Sequence, residues 1–416
     1  MSKLFSVELV DDAREALRNV VKETPLQFNR GLSEKFGAKI YLKREDLQVV
    51  RSYKIRGAYN RMRQLSPAEK RRGIVCASAG NHAQGVAASC KALKVRGTIV
   101  MPRNTPRQKV DRVRSLGNAW VVVELIGDSF DEAYRDAKRI SDQEKKVFIH
   151  PFNDAFVIAG QGTVGAEILE QSHEPIDYLV VPVGGGGLIA GVGSYFKWKS
   201  PKTKIIGVEP KGAPAMFESL KKGRQIELEK IDTFVDGAAV RKVGDLTLTL
   251  TKKVADKVLL VPEGKVCTEM ISLYQRDGIV AEPAGALSVA ALEQLGKNFK
   301  GKTVVCVLSG GNNDISRYPE VIERSLVHQG LKHYFIINFS QRPGALRRFL
   351  DDALGPTDDI TLFEYTKKNN RENGPALVGI ELQKKENLQP LLKRMTAIGM
   401  SYELLKTDSP IFNFVI

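Results

Sequence analysis

Residues 180–191 read VVPVGGGGLIAG. The apolar run Val180–Val183 is typical of a buried strand, and a helix-like segment begins at Leu188. Between them lie four glycines: Gly184, Gly185, Gly186 and Gly187. In such a loop backbone N–H groups converge without Cβ atoms in the way, and a helix N-terminus favours negative charge. The stretch therefore predicts a strand–loop–helix unit that binds a phosphate group; the alternative is a tight turn that lets the helix pack closely.

Strand-like and helix-like segments alternate on both sides of this unit. One series of strands runs from Gly73–Ala77 to Val147–Ile149, and a second runs from Tyr178–Val183 to Thr303–Leu308. Such alternation predicts an α/β fold with parallel sheets covered by helices on both faces. Because there are two series, we expect two lobes with a cleft between them.

The pattern changes after about Gln329. Residues 332–416 read as strand, helix, strand, strand, helix and strand, which is the ferredoxin-like βαββαβ order. A segment of this length is enough for a separate α+β domain. We therefore expect an α/β region at residues 1–325 and a small second domain at residues 332–416.

Composition excludes several classes of protein. Of the 416 residues, 43% are hydrophobic and 27% are charged, which is ordinary for a soluble enzyme. No run approaches the roughly 18 apolar residues of a membrane span, and the N-terminus turns acidic too early for a signal peptide, so we expect a cytoplasmic protein without a membrane partner. The net charge of +15 is spread over segments that also carry acids, without a basic arm, so no nucleic-acid partner is expected. Four widely separated cysteines predict reduced core thiols and no metal site.

Residues 51–60 read RSYKIRGAYN and contain the first candidate catalytic residue. Lys54 lies among aliphatic and aromatic neighbours, where loss of solvent disfavours the charged form of an amine. The neutral amine is a nucleophile that forms a Schiff base with an aldehyde cofactor. Because the chain has 63 Lys and Arg residues, this pattern alone also fits a solvated surface lysine.

Two more loops carry polar groups at the ends of predicted strands. The loop Ser78–His82 opens a helix and offers side-chain and backbone donors that suit a carboxylate, and Asn81 could donate to a phenolic oxygen. Taken alone, these residues are better explained as an ordinary helix N-cap. Ser309 follows the last strand, at the edge where α/β sheets bind ligands. Its hydroxyl can hydrogen-bond a pyridine nitrogen but cannot keep that nitrogen protonated; a turn serine is the alternative.

Six motifs in this order resemble the threonine dehydratases (threonine ammonia-lyases), which belong to the fold-type II, tryptophan-synthase-β-like class of pyridoxal phosphate enzymes. The resemblance covers residues from about 5 to 325 and is carried by RSYKIRGAYN, ASAGNHAQGVA, GQGTVGAEI, VPVGGGGLIAG, EPAGA and LSGGN. In the C-terminal part, RPGALRRFL, DITLFEY and GPALVGIEL are similar to the ACT-like regulatory domain of the biosynthetic threonine dehydratases. One copy is present, as in the short form of that family.

The resemblance implies a role for each candidate residue. Lys54 is the Schiff-base lysine for pyridoxal 5'-phosphate and, once freed, the base that takes the Cα proton. Gly184 to Leu188 hold the cofactor phosphate, Asn81 contacts the 3-hydroxyl, and Ser309 faces the pyridine nitrogen. The substrate carboxylate is implied to bind the loop formed by Ser78, Ala79, Gly80, Asn81 and His82. Glu282, in EPAGA, lies near the cofactor in relatives, and a structural acid is as good an interpretation as a chemical role.

The reaction implied by the resemblance converts L-threonine to 2-oxobutanoate and ammonia through aminocrotonate, as the first step of isoleucine biosynthesis. Some activity on L-serine is expected as well. The C-terminal domain implies feedback inhibition by isoleucine, with Arg342 as a candidate contact and the effect of valine left open. A homo-oligomer is expected, with a tetramer favoured over a dimer.

Related proteins offer alternatives. Serine racemases carry a hydroxyl at the position of Ala79, as the acid on the opposite face of the cofactor, so we expect little racemisation here. They also bind a divalent cation through two carboxylates in the segment matching Glu209–Ala215. Because Ala215 replaces the second carboxylate, no such metal site is expected. Threonine synthase needs a second phosphate pocket that the sequence does not reveal, and the catabolic dehydratase usually lacks the C-terminal domain. A pure amino-acid sensor would not require Lys54.

Overall fold

Two largely parallel sheets build the first part of the chain. The computed structural model describes residues 5–367, 371–406 and 409–415, and the chain divides into two compact units, Met1–Asn313 and Asp314–Ile416. The strands of the first unit are β1 (Leu26–Phe28), β2 (Lys39–Arg44), β3 (Ile74–Ala77), β4 (Gly97–Met101), β5 (Val121–Leu125), β6 (Val147–Phe148), β7 (Tyr178–Pro182), β8 (Lys204–Pro210), β9 (Lys257–Val261) and β10 (Thr303–Leu308).

Helices connect nearly all of these strands. They are α1 (Glu8–Leu17), α2 (Arg30–Phe36), α3 (Lys54–Arg63), α4 (Pro67–Arg72), α5 (Asn81–Leu93), α6 (Arg107–Gly117), α7 (Phe130–Glu144), α8 (Ala155–Gln171), α9 (Gly187–Lys199), α10 (Ala215–Lys222), α11 (Asp245–Val254), α12 (Glu263–Asp277) and α13 (Pro283–Ala290). Short 3-10 segments lie at Glu45–Leu47, Asn118–Trp120 and Leu292–Phe299.

The sheet order explains how distant motifs reach one edge. The larger sheet has the order β1-β2-β10-β7-β8-β9 and the smaller one β5-β4-β3-β6. Within both sheets every paired strand runs parallel except β1, which pairs with β2 in the antiparallel sense. The predicted α/β fold with parallel sheets is therefore confirmed, with one short antiparallel edge strand added. Because β7 and β10 are neighbours, the glycine loop after β7 and Ser309 after β10 leave the same edge.

Two helix predictions differ from the structure. The apolar spacing of residues 9–22 predicts a first helix over that range. The helix ends earlier, at Leu17, because the N–H groups of Val20 and Val21 both turn back to the carbonyl of Leu17. The apolar spacing of residues 164–171 predicts a helix over Val164–Gln171, but helix α8 begins earlier, at Ala155. Most of α8 is buried on every side, so its first half shows no amphipathic period, although the carboxylate of Asp154 caps it by accepting from the backbone N–H groups of Phe156 and Val157.

The second unit carries an antiparallel sheet. Its elements are α14 (Tyr318–Gln329), β11 (Lys332–Ser340), α15 (Ala345–Arg348), β12 (Asp359–Tyr365), β13 (Asn373–Glu381), α16 (Leu388–Ala397) and β14 (Ser401–Leu404), with short 3-10 segments at Lys385–Asn387 and Pro410–Phe414. The sheet order β12-β13-β11-β14 is that of a ferredoxin-like domain, which confirms the predicted βαββαβ pattern. The sequence pattern predicts the first helix of this domain at Gly344–Ala353. As an α-helix it is shorter, because it changes to a π-helical turn at Phe349–Ala353.

A buried apolar cluster on one side of this sheet joins β11 and β13 to α16 and the π-helical turn; it includes Phe335, Ile337, Phe349, Val378 and Leu391. Within the described ranges, every helix is too short or too polar to pass through a lipid bilayer.

Candidate active site

Lys54 is the first residue of helix α3. Its amine donates a hydrogen bond to the backbone carbonyl of Pro151, with 3.1 Å between Nζ and the oxygen. The side chain is partly exposed, yet the surrounding protein removes enough solvent to lower the pKa of the amine to about 8, against a smaller opposing effect of the negative charge on Glu282. A sizeable share of Lys54 is therefore neutral at slightly alkaline pH, as a nucleophile or base requires.

The backbone before Lys54 is held against the end of β10. Ser52 forms an antiparallel bridge with Gly310, and the N–H of Tyr53 donates to the carbonyl of Ser309 over 3.2 Å. The hydroxyl of Ser309 is buried and donates to the carbonyl of Ala284 over 3.3 Å. Lys54 and Ser309, separated by 255 positions in sequence (309 − 54), are thus neighbours through two backbone pairings.

The glycine loop connects the end of β7 directly to the start of α9. Gly186 has φ of +91°, a left-handed conformation that favours glycine, and α9 begins at the next residue. The first N–H groups of α9 have no partner within the helix, so they are available to an anion. The loop lies close to the amine of Lys54, because Pro151 accepts from that amine while the ring of the adjacent Phe152 packs against Gly185.

The loop Ser78–His82 is not a side-chain N-cap. Gly80 occupies the N-cap position of α5 without a capping side chain, and the hydroxyl of Ser78 accepts from the N–H of Gly80 over 3.2 Å. His82 is buried, and its Nε2 lies 3.0 Å from the carbonyl oxygen of Ile149. Burial, followed by the charge of Lys54, lowers the pKa of His82 to about 3, so the ring is neutral. The ordinary capping explanation therefore fails for this loop.

Asn81 makes two hydrogen bonds to residues that follow it by more than 200 positions. Its Nδ2 donates to the carboxylate of Glu282 over 2.6 Å, and its Oδ1 accepts from Nδ2 of Asn312 over 2.7 Å. Asn312 also donates to the backbone carbonyl of Val50 over 2.8 Å. Asn312 belongs to the quoted motif LSGGN, but its pattern gave no signal of this role, because the contact depends on the tertiary fold.

Glu282 precedes the first residue of α13 and is buried. Burial is the main reason that its pKa rises to about 7; the charge of Asp236 adds to the effect, and the hydrogen bond from Asn81 opposes it. Gly310 packs so closely against this carboxylate that a Cβ atom there would overlap it. The side chain is therefore confined beside Asn81.

Four polar residues lie in or next to the loops described above, and we call them the cleft groups: Ser52, Lys54, His82 and Glu282. Three of them are buried, and Lys54 is partly exposed. The hydroxyl of Ser52 and Nδ1 of His82 are buried and have no hydrogen-bond partner among the described residues. Unpartnered buried donors and acceptors are costly, so they mark a place where a ligand is expected to complete the bonding.

A second set of buried charges lies two residues further along α3, and we call it the buried ion network: Lys43, Glu45, Arg56 and Glu167. Arg56 donates to both oxygens of Glu45, at 2.8 and 2.9 Å, and to both oxygens of Glu167, at 2.5 and 2.9 Å. Lys43 donates to Glu167 over 2.6 Å. Two cations meet two carboxylates, so the network is neutral and fully paired. Sequence inspection missed it, because its members lie on separate elements.

Glu209 lies close to the start of α10, whose first residue is Ala215. These are the two positions at which serine racemases carry metal-binding carboxylates. The Glu209 carboxylate is buried and accepts from the backbone N–H groups of Met216 and Phe217 over 2.8 and 2.7 Å. Burial raises its pKa to about 8. Glu209 thus accepts hydrogen bonds from the free backbone N–H groups at the start of α10. Across the residues that are described, no group of three acidic, His or Cys side chains has the arrangement of a metal site.

Arg342 lies in the second unit, at the turn between β11 and α15, where its carbonyl accepts from the N–H of Ala345 over 3.4 Å. The turn borders a surface hollow lined by Pro343, Gly344, Leu346, Arg347, Leu350 and Asp351. The hollow combines apolar side chains with one basic and one acidic side chain.

Comparison with known proteins identifies the family. Residues 17–310 match the pyridoxal-phosphate dependent enzymes, and residues 323–415 match the C-terminal regulatory domain of threonine dehydratase. The chain is 55% identical over 412 residues to the biosynthetic L-threonine dehydratase of Halalkalibacterium halodurans, covering 99% of both chains. It is also 55% identical over 415 residues to that of Bacillus subtilis, covering 100% of this chain and 98% of the relative.

Solved structures agree with this result. Processed threonine deaminase isoform 2 from Solanum lycopersicum superposes with a TM-score of 0.73 at 41% identity, covering 77% of this chain and 93% of the other. Maize serine racemase superposes with a TM-score of 0.72 at 32% identity, covering 78% and 98%. The chain therefore belongs to the family of pyridoxal-phosphate dependent enzymes that contains the biosynthetic L-threonine dehydratases.

Proposed function

We propose that this chain deaminates L-threonine to 2-oxobutanoate and ammonia with pyridoxal 5'-phosphate. The observation that carries the proposal is the position of Lys54. Its amine has a lowered pKa and donates to Pro151 beside the glycine loop, and the backbone just before it pairs with the end of β10 at Ser309. Full-length identity of 55% to two biosynthetic L-threonine dehydratases supports threonine as the substrate.

The residues present fit this cofactor. An amine that is partly neutral suits the aldehyde, and the start of α9 after Gly186 suits a phosphate. The Ser309 hydroxyl can rotate from the carbonyl of Ala284 to a ring nitrogen. The unpartnered hydroxyl of Ser52 is a further polar atom that a ligand can satisfy. We therefore assign the cofactor to Lys54, Asn81, Gly184–Leu188 and Ser309.

The chain's own groups account for the steps around the cofactor. Bound pyridoxal phosphate supplies an electron sink for the pair left at the substrate Cα. Lys54 takes the Cα proton as a general base, because desolvation lowers the pKa of its amine and so keeps a share of it neutral and able to accept a proton. The loop Ser78–His82 holds the substrate carboxylate with N–H groups at the start of α5. Loss of the β-hydroxyl as water gives aminocrotonate, and its hydrolysis consumes one water and releases 2-oxobutanoate and ammonia.

Two side chains favour elimination over the competing reactions. Ser309 is neutral, so it does not hold the pyridine nitrogen in its protonated form, and the electron pair at Cα is less stabilised on the ring. Ala79 has no proton to return to Cα from the opposite face, which disfavours racemisation.

A direct test is an assay of the purified protein with L-threonine. We expect a visible absorption band of bound cofactor and the formation of 2-oxobutanoate and ammonia in equal amounts. L-serine should react more slowly and give pyruvate. A visible band with no product from either amino acid would contradict the proposed reaction, and a protein with no visible band would contradict the cofactor assignment.

We further propose that isoleucine inhibits through residues 332–416, a regulatory domain, while residues 1–325 form the catalytic region. The match to the regulatory domain of threonine dehydratase and the hollow beside Arg342 support this proposal. Isoleucine binding is expected to shift an equilibrium between two states of the enzyme. A homotetramer, a cytoplasmic location and a response to valine belong to the same proposal.

Removal of residues 332–416 tests it, because the truncated chain should keep threonine deamination and lose inhibition by isoleucine. A truncation after Asn313 is the matched second design, since helix α14 belongs to the second compact unit. Unchanged inhibition in either truncated chain would contradict the proposal.

A further inference from the structure

Glu282 is an unusual carboxylate because its neighbours in contact are neutral. The donors that reach it are Nδ2 of Asn81 and the backbone N–H of Asn312. A buried carboxylate generally has a cationic partner or a dense set of donors. The close packing of Gly310 prevents this side chain from moving away from Asn81. A group kept in such surroundings is a candidate for a role in the site.

The hydrogen bonds around Asn81 have only one consistent direction. The backbone carbonyl of Val50 can only accept, so Asn312 must turn its NH₂ group towards it. The same NH₂ group contacts Asn81, so Asn81 must present its oxygen to Asn312. Its own NH₂ group then faces Glu282. The orientation of this amide, which is usually ambiguous, is fixed here from both ends.

We propose that Glu282 and Asn312 are positioning residues that fix the amide of Asn81, so that its second N–H stays available as a donor to the phenolic oxygen of the cofactor. One N–H of Asn81 is used by Glu282, and the other is left over. Without Asn312 or Glu282 the amide is free to rotate and to present its oxygen, which would repel a phenolate. The proposal rests on the cofactor assignment made above.

The same arrangement makes the positioning depend on pH. The titratable and charged groups that face Glu282 are Tyr53 and Lys54 at the start of α3, Lys109 on α6 and Asp236 in the segment before α11. Lys109 and Asp236 form an ion pair of 2.8 Å, so their effects on Glu282 largely oppose each other. The pKa of Glu282, raised to about 7 mainly by burial, lies in the working range of an enzyme. Protonation converts one acceptor oxygen to a donor, which weakens the hold on Asn81.

The test uses the cofactor-loaded protein and two readouts that need no threonine. One is the visible absorption band of the bound cofactor between pH 6 and 8.5, and the other is the dissociation constant of pyridoxal phosphate. The wild-type band should change with a midpoint near 7, and Glu282→Gln should remove that change and weaken cofactor binding about tenfold. Glu209→Gln is the matched control, because it neutralises another buried carboxylate of raised pKa and should keep both properties.

Asn312→Ala is the second variant and keeps the Glu282 carboxylate. It should weaken cofactor binding about tenfold while the pH-dependent change of the band remains. The proposal is wrong if Glu282→Gln retains the wild-type pH dependence, or if Asn312→Ala binds the cofactor as tightly as wild type. If Glu282→Gln does not fold, the affinity of Asn312→Ala decides. Because threonine is absent, failure of this proposal is distinguishable from failure of the proposed reaction.

Discussion

Helix α3 carries two charged residues whose surroundings differ sharply. Lys54 and Arg56 are two positions apart, so they point to nearly opposite sides of the helix. Arg56 is fully buried and makes five hydrogen bonds, four of them to carboxylate oxygens. Among the described residues, Lys54 donates one hydrogen bond, to a carbonyl, and its cleft neighbours Ser52 and His82 hold unpartnered polar atoms.

The difference separates a stabilising site from a reactive one. In the buried ion network each charge is compensated, so breaking one partner leaves the others unpaired at high cost. In the cleft groups the cost of burial is left uncompensated, and it appears as shifted pKa values: lowered for Lys54 and raised for Glu282. Shifts of this kind are typical of groups that react or bind ligands. Helix α3 thus carries the reactive amine on one side and is anchored on the other side by Arg56.

The largest effect on stability is expected for Arg56→Met. The substitution leaves Glu45 and Glu167 buried with only Lys43 nearby, which should lower the free energy of unfolding by about 3–5 kcal/mol. Chemical denaturation measures the change. Arg30→Met removes an exposed pair with Glu34 and serves as the control, with no measurable change expected. A loss for Arg56→Met as small as that of the control would contradict the contrast.

A change of pH is expected to have an intermediate effect on stability, with opposite signs for the buried ion network and for the cleft groups. Arg56 and then Lys43 outweigh the effect of burial and hold the pKa of Glu167 below its ordinary value, so its contribution is lost as the pH falls into the acid range. For Glu282 the folded pKa of about 7 lies above the ordinary 4.5, so its contribution is present below 4.5 and is lost as the pH rises through 7.

Cofactor-free wild type should therefore lose stability on the order of 2 kcal/mol as the pH rises from 5 to 8. Glu282→Gln should not show this loss. Thermal or chemical unfolding at both pH values gives the difference. An equal loss of stability with pH in wild type and Glu282→Gln would show that Glu282 does not titrate in this window.

The smallest effects on stability are expected from the removal of single hydroxyl groups, one in each region. Thr163 accepts from Arg56 over 3.1 Å in the network, so Thr163→Val should cost about 1–2 kcal/mol of stability. Ser52 has no partner in the described residues, so Ser52→Ala should change the stability of cofactor-free protein by less than about 0.5 kcal/mol. Equal losses in the two variants would mean that the Ser52 hydroxyl is bonded in the folded protein.

Local patterns predict a good part of this molecule. The strand, glycine loop and helix around Gly184–Leu188 are contiguous in sequence. The stretch around Lys54 and the loop before α5 are each short continuous segments as well, so each motif could be interpreted by itself. The ferredoxin-like order of the second unit follows from the same local rules. Helix α8 was only half predicted, because a helix buried on every side has no polar face to set its period.

The remaining features depend on contacts between distant segments. Arg56 pairs with Glu167, 111 positions away, and Asn81 reaches Asn312, 231 positions away. No local pattern reports which buried acid meets which buried base, so the ion network was not predicted. The role of Glu282 stayed open for the same reason, since its pKa depends on how much solvent the fold removes.

The most direct test of the contrast on α3 is to measure turnover and stability together in Lys54→Ala. We predict that deamination of L-threonine falls by at least about 10³-fold and that the visible cofactor band disappears, because the amine is both the cofactor's attachment point and the base. We also predict that the unfolding temperature of the cofactor-free protein does not fall, because a desolvated amine is removed. Substantial remaining turnover, or a clear loss of stability, would contradict this assignment of Lys54.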